Sequence, residues 1–157
     1  MQKRLTFHGK PIRVTLSETA AAKCREMTSP LLLEIQVYFS CVLVKRVAIY
    51  TASPLAGAWQ LEEEAFSSLL ETAQTISGKL FLRFNTVMTK TCPVSDHLGP
   101  PPVSDFEIVR QEAFVPSWLK VNYVNGEWLG DYGWHEINTK GLSTVQIRGD
   151  AISTHNP

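Results

Sequence analysis

Thiol and imidazole groups are the first candidates for chemistry in this sequence, in the set Cys41, Cys92 and His97, with Asp96 and His8 as further donors. Thiolate and imidazole are natural zinc ligands, and a metal held by them would join a strand at Cys41 to a loop carrying Cys92 and His97. Zinc is therefore the cofactor these residue types suggest. The spacing is not that of a zinc knuckle, because four residues including Pro93 separate Cys92 from His97 and no paired CxxC occurs. The competing reading of the same three residues is a core cysteine, a loop cysteine and a solvated histidine. In a thiol enzyme, Cys92 would be the nucleophile and His97 or His8 its base.

Lys45 is the second candidate. In residues 31–50 the odd positions Leu33, Ile35, Val37, Phe39, Cys41 and Leu43 are apolar and oppose Glu34, Gln36, Tyr38 and Ser40, so one face of a strand is buried. Lys45 is the first residue to break that parity. A β-bulge at Lys45 and Arg46 would let both charges escape the core; an inward lysine would need a partner or a lowered pKa, and would mark a site.

The third candidate is aromatic. Trp128 and Tyr132 share a face with Tyr123 in a hairpin, and Gly130 between them leaves a gap where an apolar or planar group would fit. The competing reading is the core side of a sheet. No nucleophile elbow, P-loop, dinucleotide fingerprint or HExxH is present, so phosphate, nicotinamide and zincin chemistries lack a local anchor.

The elements that must position these residues follow from periodicity. A loop at residues 8–11 sets Phe7 against Ile12 and Leu5 against Val14. Ser17 caps a helix running to about Thr28, with Ala20, Ala21, Cys24 and Met27 on one side. Twenty extended residues from position 31 would reach about 65 Å, against a radius of gyration of about 15 Å for a compact chain of this size. That strand must bend or break. A second helix spans residues 62–76, with Phe66, Leu69, Leu70, Ala73 and Ile76 in one stripe and Gly78 at its end. Residues 79–91 return to a strand that pairs with the earlier long one, and residues 92–105 form the one long loop, holding four prolines. A weaker strand pattern covers residues 106–115. Asn125-Gly126 then signals a two-residue hairpin pairing Tyr123 with Trp128, Val121 with Gly130, Leu119 with Tyr132, Lys120 with Asp131 and Val124 with Glu127. Residues 143–148 suggest one edge strand.

The expectation is an α+β fold, a mainly antiparallel sheet with two helices packed on one face. Residues 1–138 would form the single domain and residues 139–157 a loosely ordered segment. At 157 residues, with 44% hydrophobic and 19% charged content, the chain can bury a core without disulfides or metal. Three widely spaced cysteines fit reduced thiols, and the first ten residues lack the apolar region of a signal, so the expected location is cytoplasmic. Glu34, Gln36, Lys45 and Arg46 argue against a membrane span. Residues 1–30 hold six Lys or Arg against Glu18 and Glu26, without the interleaved aromatics of a nucleic-acid surface. These features point to a non-enzymatic module binding a small molecule or protein through residues 92–105 and the adjoining sheet. The alternative is a metal or thiol centre at Cys41, Cys92 and His97. Whether the chain catalyses a reaction stays open at this level.

Overall fold

The structure, a computed structural model, describes residues 1–39, 43–88 and 110–135. The chain opens with a hairpin of β1 (Gln2–Phe7) and β2 (Lys10–Leu16), followed by α1 (Glu18–Glu26). His8 and Gly9 make the turn, both with positive φ, at 48° and 75°. The register pairs Leu5 with Ile12 and Phe7 with Lys10, so the expected parity holds but Phe7 does not oppose Ile12. Pro11 lies inside β2. It faces Thr6, one pair in from the turn, where antiparallel alternation points its missing N–H away from β1 and ahead of the pairing with residues 118–121 that starts at Arg13. Ser17 caps α1 as expected, its Oγ accepting from the Ala20 N–H at 3.2 Å.

The long apolar run breaks into two strands. β3 (Leu31–Phe39) and β4 (Leu43–Thr51) are antiparallel neighbours, with Leu32 opposite Tyr50 and Phe39 opposite Leu43. The ladder passes Lys45 and Arg46 without a register shift, which corrects the expected bulge. Lys45 stays on the inward face with Val47, and Arg46 is buried on the opposite one.

Beyond β5 (Trp59–Gln60), α2 covers Glu63–Glu71, nine residues rather than fifteen. Thr72 ends it, and β6 (Gln74–Ser77) takes over. Ile76 satisfies the helical stripe and the strand alternation equally, but it is buried from β6. Gly78, at φ 54°, serves the turn that follows β6 and is not a helix cap. β7 (Leu80–Met88) pairs with β3 in parallel. Of the strand expected at residues 106–115, positions 106–109 lie outside the described residues and Gln111–Phe114 form a 3-10 turn, while β8 (Trp118–Val124) and β9 (Glu127–Gly133) form the hairpin with every pair as read from the sequence.

These strands make two mixed sheets, ordered β1-β2-β8-β9 and β5-β4-β3-β7-β6. Among the described residues three of the seven pairings, β2 with β8, β3 with β7 and β4 with β5, are parallel, which corrects the mainly antiparallel expectation. One large core takes side chains from both sheets: Ile12 and Val14 from β2, Leu33 and Ile35 from β3, Leu82 from β7, Leu119 and Tyr132 from the hairpin. α1 adds Ala20 and Cys24 to that core, whereas α2 sets Phe66 in a smaller cluster with Leu32, Ala48 and Tyr50. The helices are thus divided between two clusters. At the sheet edges Lys3 Nζ donates to Thr75 O and Gln74 Nε2 to Thr6 O, tying β1 to β6. Among the described residues no helix is long and apolar enough to cross a membrane. The expected edge strand at residues 143–148 and the segment 139–157 lie outside the described residues.

Candidate functional site

Lys45 and Tyr132 do meet. Lys45 Nζ donates to Tyr132 O, lies 3.7 Å from Asp131 Oδ1, and sits 4.9 Å from the Tyr132 ring centroid and 5.7 Å from that of Trp134. Burial lowers the Lys45 pKa from its ordinary value, with Asp131 opposing that shift. The lysine therefore clamps β4 to β9 across the two sheets.

The gap expected beside Gly130 does not exist. An added Cβ at Gly130 would lie 2.7 Å from Val47 Cγ1, so the opposing sheet fills the space between the rings. Trp128 and Tyr132 are core residues, 3% and 0% exposed, and the Tyr132 hydroxyl donates to Gln36 O at 2.5 Å. That hydrogen bond answers the need of a buried phenol for a partner. Cys41, Cys92 and His97, with Asp96, lie outside the described residues; among the described residues no cluster of three or more His, Cys, Asp or Glu suits a metal. Cys24 is buried in α1, and burial pushes its thiol pKa up.

Sequence reasoning missed the other face of β3. Glu34, Gln36 and Tyr38 read as a solvent-facing file, yet each is 2% exposed. The Tyr38 hydroxyl donates to Gln36 Oε1 at 2.6 Å, and Gln36 Nε2 donates to Glu34 Oε1 at 2.7 Å and to the Tyr50 hydroxyl at 2.9 Å. Arg83, opposite Glu34 on β7, donates through Nη1 to Glu34 Oε2 and through Nε to Thr72 Oγ1. Arg46, opposite Gln36 on β4, lies over the Tyr38 and Trp59 rings at 5.2 and 5.7 Å. Burial pushes the Tyr38 pKa up to about 12 and raises that of Tyr50, while burial lowers that of Arg46. The signal available in the sequence was a charge-bearing file in a strand long enough to sit centrally in a sheet, where both faces are covered.

This network reaches a cleft at one end. A cavity of about 380 Å³ is lined by Thr6, His8, Thr72, Gln74, Arg83 and Asn85, with Phe7, Phe84 and Gln111 completing its wall. Two nitrogens of Arg83 are held, and Nη2 has no partner among the described residues. Asn85 Nδ2 lies 3.5 Å from Glu34 Oε1, leaving Oδ1 toward an acceptor role. The His8 and Phe84 rings meet edge to face at 5.8 Å, and Phe7 packs on Phe84 at 6.4 Å. The cleft therefore offers a fixed guanidinium donor, several amides and an aromatic wall. No protein-family model matches this chain, and no curated protein or solved structure matches it significantly.

Proposed function

We propose that this chain is a non-enzymatic binding module whose ligand is a small polar molecule held in the cleft beside Arg83 and Asn85. The observation that carries the reading is the buried polar network behind the cleft. Along one strand, Leu33, Ile35 and Val37 fill the inner face with hydrocarbon, while Glu34, Gln36 and Tyr38 occupy the outer face at full burial. Burying an ion pair is often no better for stability than apolar packing, so stability alone gives no reason for Glu34 and Arg83. Departures of this kind from local rules concentrate at functional sites. Here the departure holds Arg83 in place at the cleft wall, and the ligand it favours carries an acceptor oxygen, such as a carboxylate or a carboxamide.

The test is a set of low-molecular-weight carboxylic acids and primary amides, followed by NMR on the side-chain amides of Gln74, Asn85 and Gln111. Saturable shifts confined to those amides, lost in Asn85→Ala, are expected. If no compound moves them while the chain stays folded, the cleft is not the binding site.

A further inference from the structure

On the far side of the four-stranded sheet, Arg4 and Arg13 are direct cross-strand partners in the β1–β2 hairpin, and both are exposed. Like charges directly opposite each other destabilise a strand pair, and the usual remedy is an acid nearby. None of the ion pairs among the described residues involves Arg4, Arg13 or Lys10. The three cations instead line one cleft of about 360 Å³, whose remaining wall is Pro11, Val115, Pro116 and Ser117. Ser117 is fixed there by the backbone, its carbonyl accepting from the Arg13 N–H at 3.0 Å and its own N–H donating to Gly133 O at 2.8 Å.

We propose that this cleft binds a phosphate monoester, with Arg4 and Arg13 gripping the phosphate oxygens, Lys10 adding charge, and the organic group lying on Pro11, Val115 and Pro116. Two guanidinium forks and an ammonium match a dianionic tetrahedral group better than a single carboxylate, because each fork donates two parallel hydrogen bonds. The apolar wall distinguishes an ester from free phosphate. The site is separate from the cleft at Arg83: the two share no lining residue, so each stands or fails alone.

The experiment measures the thermal unfolding midpoint of the full chain in sodium chloride, inorganic phosphate and phenyl phosphate at equal ionic strength. A ligand that binds only the folded state raises the midpoint with concentration. The expected order is phenyl phosphate above inorganic phosphate above chloride. Arg4→Glu places an acid opposite Arg13, so it should raise the midpoint in chloride and weaken phenyl phosphate binding at least tenfold; Arg13→Ala should weaken it comparably. Equal midpoints in chloride and both phosphates would reduce the effect to charge screening and overturn the site. A phosphate response that persists in both variants would overturn the assignment to these arginines, and inorganic phosphate acting as strongly as the phenyl ester would overturn the ester.

Discussion

Substituting Gly130 by alanine tests how the two sheets face each other. The new Cβ would lie 2.7 Å from Val47 Cγ1 and 3.1 Å from both Val47 Cβ and Cγ2. Ordinary carbon contacts fall at about 3.5–4.0 Å, so the shortest of these is too close by about an ångström. Val47 is 2% exposed and paired with Ile35 in the middle of a ladder, and a β-branched side chain has little rotamer freedom with which to move aside. Overpacking of this kind costs about 1–3 kcal/mol. Val47→Ala alone removes two methyl groups, a loss of about 1.6 kcal/mol by transfer, with a cavity term added. The two changes together put the new methyl into the space vacated by the valine. Equilibrium urea unfolding of the parent, both single variants and the double variant measures the coupling. The double variant should be more stable than the sum of the single effects requires, by about 1–2 kcal/mol. Additivity to within about 0.5 kcal/mol, or a Gly130→Ala chain as stable as the parent, would refute the packing of β9 over β4.

Two pH-dependent outcomes follow from the buried groups. Tyr38, Tyr50 and Tyr132 all have pKa values raised by burial, that of Tyr38 from 10.0 to about 12. The unfolded phenols ionise first, so this stability is complete below about pH 10 and is lost as pH rises through the folded values; for Tyr38 the difference is worth about 3 kcal/mol. Cooperative alkaline unfolding, with phenolate absorbance appearing at the same midpoint as loss of structure, is the expected result, and tyrosines that ionise near their ordinary value in a folded chain would contradict it. Lys45 behaves in the opposite sense: its folded pKa is lowered, so the unfolded chain keeps that proton to higher pH and the burial cost fades as pH climbs toward the unfolded value of 10.5. Comparing unfolding midpoints of parent and Lys45→Met at about pH 7 and about pH 10 should show the variant's relative advantage shrinking with pH; a constant difference would contradict an inward charge.

What the sequence disclosed about the fold was what local chemistry decides. Asn125 and Gly126, at φ 52° and 85°, fix the β8–β9 register through the turn itself, and every pair follows from them. The β1–β2 parity was equally legible, but the turn at His8 and Gly9 is tighter than a loop reaching Pro11, and the register moved accordingly. Residues 31–50 contain no Gly, Pro, Asn or Asp to mark the break between β3 and β4. The helix at Glu63–Glu71 looked longer because Ile76 fits both periods. The parallel pairings of β2 with β8 and of β3 with β7 join strands distant in sequence, about which periodicity carries no information, and β5, parallel to β4, is two residues long and too short to show a period. For the site, Lys45 stood out because it broke a pattern. Glu34, Gln36 and Tyr38 did not, since an alternating polar file looks the same whether water or protein covers it.

That ambiguity bears directly on the cleft. Arg83 belongs to two environments, since Nη1 and Nε are held by Glu34 and Thr72 while the residue also lines the cleft and Nη2 has no partner among the described residues. A surface arginine loses side-chain freedom when it grips a ligand, and that loss subtracts from affinity. Arg83 has already lost it in folding, to a carboxylate that is itself fixed by Gln36. The unfavourable part of recognition is thereby transferred to the folding equilibrium, where the hydrocarbon packing on the opposite face of β3 offsets it. The same arrangement makes Glu34 sensitive: removing Arg83 would strand a buried charge, so changes there would weaken the fold as well as the site. Ligand contacts are therefore best probed at Asn85 and Gln111, which are only partly buried and can be truncated without leaving an unpaired charge inside.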